Sequence, residues 1–314
     1  MIYSGDMMYK DYAGKPTREK KNSAKLKEGE IMDYCTKSVV TIPPTSTIMS
    51  AVKSMMKYNF RRMPIADPGT KRLEGIITVT DIINFFGGGQ KYQIVQNRYD
   101  GNLMAAVNEE VEAIMEGDVI SIDFTSSLED AIELMLKKRV GGCPVVDRDN
   151  IILGIITEKD VLSYLSENGE IDGFVRNYMT KGVITASPDT TVEEAMKLMI
   201  SRKMRRLPVI RDGIFVGLVT AREILRYFGS GEAFKMLITG DIKEALNQPL
   251  SHILSNENLR VYKEPLLVPP DERISDLVKL MKGSGYGVAL VVNNGNLEGI
   301  ITERDLIRFL YSKM

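Results

Sequence analysis

The chain has 314 residues, of which 44% are apolar and 26% charged, with a formal net charge of −1. That length suffices for two domains that each bury a core, and the near-neutral balance gives no global drive toward nucleic acid or an anionic membrane. No apolar run reaches the ~18 residues of a membrane span, and Met1–Lys10 lacks the basic-then-apolar pattern of a signal peptide, so a cytoplasmic protein is expected.

Residues 1–30 form a polar, locally basic arm, with Lys15, Arg18, Lys20, Lys21, Lys25 and Lys27 against Glu19. It reads either as a solvated tail or as a docking arm. Beyond it, Ser38–Ile42 has strand composition and stops at Pro43-Pro44. Ile48, Val52, Met55 and Met56 then follow helical spacing. Met63–Ala66 is a second strand, Asp67-Pro68-Gly69 a turn, Leu73–Thr78 a third strand, and Asp81–Phe86 a second helix. The unit is β-α-β-β-α.

The order returns three times. The second copy has a strand at Val119–Ile122, a capping box at Ser126-x-x-Glu129, helix Leu128–Leu136, strand Cys143–Val146 and strand Ile151–Thr157. In the third, Val183–Ala186 precedes a box at Thr190-x-x-Glu193, helix Val192–Met199, strand Leu207–Ile210 and a turn at Asp212-Gly213. The fourth has Leu266–Val268, helix Ile274–Met281, Ala289–Val292 and a hairpin turn at Asn294-Gly295. Every copy closes on an apolar strand, a Thr, and a carboxylate three residues on: Thr78/Asp81, Thr157/Asp160, Thr220/Glu223 and Thr302/Asp305. Such a fixed pattern implies four repeats of about 55–60 residues.

The expected boundaries are 31–86, 111–165, 175–228 and 250–314, with linkers at 87–110 and 229–249. The first linker opens on Gly87-Gly88-Gly89, which lacks the Lys-Ser/Thr of a P-loop and reads as a flexible connector ahead of a partly helical bridge. Cys35 and Cys143 fall in different repeats without metal or redox spacing, and His252 is the sole histidine. A zinc site, a histidine triad and hence an enzyme are disfavoured. The methionines at 55, 56, 196 and 199 read as core.

Ser/Thr-x-x-Asp/Glu before an apolar segment is also a plain helix cap that needs no ligand, so the motif alone leaves site and cap both open. The Gly-x-x-Thr-x-x-Asp endings, the Leu-Pro-Val strand and the Met179-Thr180 opening together resemble the CBS-domain family. Four units in two tandem (Bateman) pairs, an α/β (α+β) architecture, would cover about residues 31–314. The gamma subunit of the AMP-activated protein kinase has a similar plan.

The resemblance implies that paired units pack by their sheets and leave two clefts per pair. One unit lends the Thr and carboxylate of its final motif. Its partner lends backbone around its first strand, against adenine, and the two residues before its Leu-Pro, against phosphate. Chemistry agrees with such a division. An ionised carboxylate accepts from both ribose hydroxyls, a hydroxyl and N–H groups at a helix start suit phosphate, and arginine adds forked charged bonds.

On that scheme Thr157 and Asp160 face Val40, Arg61 and Arg62, and Thr302 and Asp305 face Ile184, Arg205 and Arg206, at matching spacing. Thr78 and Asp81 face Ile120 and Gly141-Gly142, with no cation unless Lys138 or Arg139 reaches in. Thr220 and Glu223 face Pro265, Leu266 and Gly287, again without a cation, so Glu223 is expected only to cap. The leading expectation is a non-catalytic sensor of AMP, or of ADP or ATP, acting through a target protein or self-association. S-adenosylmethionine, which has no phosphate, is the rival ligand, and a ligand-free interaction scaffold is the alternative. No metal is expected.

Overall fold

In the computed structural model, residues 29–168, 172–235, 242–261 and 264–311 are described. Residues 1–28 of the basic arm lie outside them. Among the described residues the ten strands are β1 (Arg62–Ala66), β2 (Leu73–Thr78), β3 (Ile122–Asp123), β4 (Gly142–Val146), β5 (Ile152–Thr157), β6 (Arg206–Arg211), β7 (Ile214–Thr220), β8 (Leu267–Val268), β9 (Val288–Asn293) and β10 (Asn296–Thr302). The four antiparallel hairpins β1–β2, β4–β5, β6–β7 and β9–β10 are the centres of four units. The first strand of each unit is short. It is β3 or β8 in the even units, parallel to the hairpin, and a single parallel bridge, Ile42 to Ile65 or Ala186 to Val209, in the odd ones.

Each unit's long helix follows its first strand: Ile48–Tyr58, Leu128–Lys138, Val192–Ser201 and Ile274–Ser284. Each buries one stripe, such as Ile48, Ala51, Val52 and Met55 in the first, as 3.6-residue periodicity requires. Met55, Met196 and Met199 are fully inside. The capping boxes stand one residue later than the sequence suggested. Ser127 with Asp130 and Thr191 with Glu194 make the reciprocal bonds, because the residue directly before the first helical position is the one whose side chain reaches the free N–H groups. Ser126 instead accepts Ile31 N–H through its carbonyl, and the Thr190 hydroxyl accepts from Ser187 N–H.

Units 1 and 2 meet sheet to sheet over Ala66, Leu73, Val146 and Ile152, with a bridge between Arg72 and Ile151. Units 3 and 4 meet at the corresponding place, where Ile214 of β7 pairs with Asn296 of β10. The two pseudo-symmetric pairs then close on each other through helices. Unit 1 packs on unit 3, with Val79–Ile83 against Ala221–Gly229 and the Phe86 and Phe228 rings 4.4 Å apart. Unit 2 packs on unit 4, with Glu158–Asn168 against Ile274–Ser284 and Glu303–Tyr311.

The triple glycine is packed rather than flexible. Helix Val79–Ile83 runs on as a π-helical turn, Asn84–Gly88, whose Gly87 has φ 136°. A Cβ on Gly88 would stand 3.0 Å from Ile200 of unit 3 and 2.8 Å from the Ile83 carbonyl oxygen. Glycine is required for this close approach between the pairs. The bridge beyond it is partly helical as expected, at Tyr92–Tyr99 and Leu103–Ala106.

Candidate functional site

The four closing motifs all lie where a strand runs into a helix. In each, the carboxylate oxygen accepts from the threonine N–H three residues earlier: 2.9 Å at Asp81, 2.7 Å at Asp160, 3.0 Å at Glu223 and 2.8 Å at Asp305. The cap is therefore common to all four, and the surroundings of each carboxylate set them apart.

Around Asp160 there is a cavity of about 350 Å³, within the range of small-molecule sites. Val40, Arg61, Arg62, Thr157 and Asp160 line it together, as the pairing of units 1 and 2 predicted. Val39, Pro64 and Ile155 make an apolar wall, and Tyr58 and Phe60 stack at 5.4 Å beside it. Burial pushes the Asp160 carboxyl up from its ordinary range, opposed by the bonds from Thr157. The cavity also reaches Arg222 of unit 3 and Glu303 of unit 4, so the second pair completes it.

Toward the centre of the molecule the twin arginines of the odd units lie over glycines of the even ones. Arg62 donates to the Gly142 carbonyl, and Arg206 donates to Gly287 O at 2.9 Å. A Cβ on Gly141 would be 2.8 Å from Arg62 Nη2, and one on Gly287 2.6 Å from Arg61 Nη2. Gly141 and Gly287 stand where the odd units carry the first arginine of each pair, and arginines of unit 1 take the space a side chain would need there. Two carboxylates share the centre. Glu303 Oε2 is 2.9 Å from Arg61 Nη1, and Glu158 receives Arg304 at 2.9 Å and Arg205 at 3.8 Å. Burial would raise the Glu158 carboxyl, but the surrounding guanidiniums, Arg205 and Arg304 foremost, hold it below the usual range. Burial, and then repulsion from neighbouring arginines, pulls Arg62 down to about 10 and Arg206 to about 9. The cluster is thus rich in positive charge, and an anion entering it would offset the repulsion among the guanidiniums.

Arg205 and Arg206 stand in this cluster beside a small pocket of about 20 Å³ with Thr220 and Arg222. Thr302, Asp305 and Ile184 do not line that pocket; Asp305 has Arg308 at 3.7 Å, and Ile184 is 38% exposed. At Asp81 neither Lys138 nor Arg139 approaches. Arg139 ends its helix in the left-handed region, and the cation present is Lys91, whose ammonium donates to Asp81 and to the Ile114 carbonyl. Ile120 lines no cavity described above. Glu223 does more than cap: its Oε1 accepts Val261 N–H at 2.9 Å. Beside it is a cavity of about 210 Å³ lined by Thr220, Pro265 and a cation the sequence reading had not assigned, Arg260. Arg260 comes from the connection ahead of β8, outside the two positions before the hairpin strand.

Sequence reasoning also passed over Glu158 and Glu303. The signal was there: the even motifs read Thr-Glu-x-Asp, the odd ones Thr-Val or Thr-Ala, and glutamate recurs only opposite the units that carry Arg-Arg. Among the described residues no group of three or more His, Cys, Asp or Glu could hold a metal ion, and no helix is long and apolar enough to cross a membrane.

The family model described as "CBS domain" matches residues 31–88, 111–167, 175–230 and 260–312. The chain belongs to the CBS-domain family. Among similar proteins, the uncharacterized protein MJ1225 of Methanocaldococcus jannaschii is 32% identical over 274 residues, covering 87% of this chain and 95% of its own. Its crystal structure, described as that of a candidate archaeal homolog of g-AMPK, superposes with a TM-score of 0.83 at 31% identity over 90% of this chain and 99% of that one. A 33.4 kDa protein from the ribosomal RNA operon of Thermofilum pendens is 29% identical over 269 residues, 86% of this chain and 87% of its own. A conserved protein of Pyrococcus horikoshii shares the CBS fold, at 20% identity and a TM-score of 0.55, over 89% and 99% of the two chains.

Proposed function

We propose that this four-CBS-domain chain is a non-catalytic regulatory sensor of adenine nucleotides, AMP foremost and ADP or ATP with it. Its principal site is the Asp160 cleft, with the Asp305 cleft as its counterpart. The observation that carries the reading is the gathering of Val40, Arg61, Arg62, Thr157 and Asp160, from two units, around one cavity of about 350 Å³. Ribose hydroxyls would donate to Asp160, adenine would lie along the Val40 strand against the apolar wall, and phosphate would meet Arg61, Arg62 and the N–H groups opening helix Glu158–Asn168. The guanidinium cluster favours a ligand with phosphate over S-adenosylmethionine. Output would pass to a target protein or a second copy of the chain.

Saturating AMP is expected to raise the melting temperature by mass action. Asp160→Ala and Asp305→Ala should each remove part of the rise, and the double variant all of it. Each lost pair of charged hydrogen bonds should weaken its cleft by about 100-fold or more. An unfolding curve that AMP, ADP and ATP all leave unmoved refutes the reading.

A further inference from the structure

The ion pairs at the centre run crosswise between the two candidate clefts. Glu303 adjoins Thr302 and Asp305 of one cleft but pairs with Arg61 of the other, at 2.9 Å. Glu158 adjoins Thr157 and Asp160 but receives Arg205 and Arg304 of the opposite pair of units, at 3.8 and 2.9 Å. The two glutamate side chains are only 4% and 5% exposed. Space around them is reserved. A Cβ on Gly287 would stand 2.5 Å from Glu303 Oε2, and one on Gly141 would stand 2.9 Å from Glu158 Oε2. Neither carboxylate is needed for the cap, which Asp160 and Asp305 already supply.

We propose that Glu303 and Glu158 are positioning residues, each holding a phosphate-binding arginine of the opposite cleft, so that filling one cleft lowers the affinity of the other. The inference rests on the nucleotide reading above. A phosphate in the Asp160 cleft draws Arg61 off Glu303. That leaves a buried carboxylate without its ion pair, which costs more than the pair itself contributes. Glu303 then turns its charge on Arg206, whose Nη2 donates to the same Gly287 carbonyl as the Glu303 N–H, at 2.9 and 3.3 Å, and competes with the second phosphate for it. The mirror event at Glu158 is weaker, because Arg205 stands farther off and Arg304 remains with the carboxylate. Coupling between two binding sites is reciprocal, so either order of filling gives the same penalty.

The test titrates calorimetrically, with AMP and with adenosine, the unmodified chain, whose second AMP should bind several-fold more weakly than it does in the matching single-cleft variant, and the single-cleft variants themselves. In the Asp305→Ala background, which leaves the Asp160 cleft, adding Glu303→Gln should tighten AMP about tenfold. Adenosine, which has no phosphate to reach Arg61, should bind as before. In the Asp160→Ala background, Glu158→Gln should tighten AMP at the Asp305 cleft by a smaller factor. A merely structural role for the glutamates would shift AMP and adenosine together. That outcome, or unchanged AMP affinity, overturns the proposal. Should the Glu303→Gln protein not fold, the Glu158→Gln arm decides alone. Should neither single-cleft variant bind AMP or adenosine before any glutamate is changed, the nucleotide reading fails, and the positioning proposal with it.

Discussion

The Asp160 and Asp81 clefts belong to the same pair of units, close on the same Thr-x-x-Asp and make the same cap bonds, yet their carboxylates face different things. Asp160 borders a cavity of about 350 Å³, whereas Asp81 is paired with Lys91. The cause lies in what the chain does after the motif. Helix Glu158–Asn168 runs on for 11 residues and carries the chain away from its own cleft. Helix Val79–Ile83 lasts five, passes into the π turn, and bends back at Gly87 so that Lys91 returns to Asp81. A recurring motif thus provides a carboxylate, and the segment downstream decides whether a cation of the chain's own occupies it.

Replacing Arg62 should give the largest effect on this contrast. Arg62→Met in the Asp305→Ala background is expected to weaken AMP about 10- to 100-fold, the worth of a charge-assisted bond, while adenosine is unaffected. Equal losses for both in calorimetry would place Arg62 in the architecture and not at a phosphate.

Alkaline titration should have the next largest effect. Arg206 at about 9 and Arg62 at about 10 are bases held below their ordinary value, so each is charged at neutral pH and loses its proton as pH rises through that value. Phosphate binds the charged form, and a phosphate group with a second pKa near 6 does not itself titrate there. AMP affinity should therefore be full below about pH 8 and decline at both clefts only in more alkaline solution. Titrations of the two single-cleft variants across this range check the decline, and an affinity flat to about pH 11 would show that the guanidiniums at the phosphate keep their charge there.

The smallest effect belongs to Lys91→Met. It breaks a part-buried ion pair and should lower the melting temperature by a few degrees, about 1 kcal/mol or somewhat more. No further AMP should bind, because Lys91 is the cation paired with Asp81 and its removal leaves that cleft without one for a phosphate. A gain of one bound nucleotide per chain would show that Lys91 alone closes that cleft.

Periodic features were legible in the sequence. The four long helices start at Ile48, Leu128, Val192 and Ile274 as their apolar stripes indicated, and β2 spans Leu73–Thr78 as read. First strands were over-read. Ser38–Ile42 keeps one bridge, since it has a single neighbour at the sheet edge and Pro43-Pro44 provide no donors. Of the site, Arg61, Arg62 and Asp160 were legible because they recur at a fixed offset in another unit. Lys91 and Arg260 were not, because each comes from an irregular connecting segment whose path depends on packing, as that of Gly88 against Ile200 does ahead of Lys91. The glutamates 158 and 303 fall between: visible as a pattern, but meaningful only once the pairs are seen to cross.

The chain exchanges strand-like segments within each pair. Thr36, near the start of unit 1, bridges to Ile155 of unit 2; Glu116, near the start of unit 2, bridges back to Ile76 of unit 1; and Thr180, near the start of unit 3, bridges to Ile300 of unit 4. A lone unit would lose these clasps and expose the strand edges they cover. Duplication, deletion or transplantation during evolution should accordingly act on pairs, with breakpoints between units 2 and 3. An odd number of units would leave one clasp reaching for a strand that is not there.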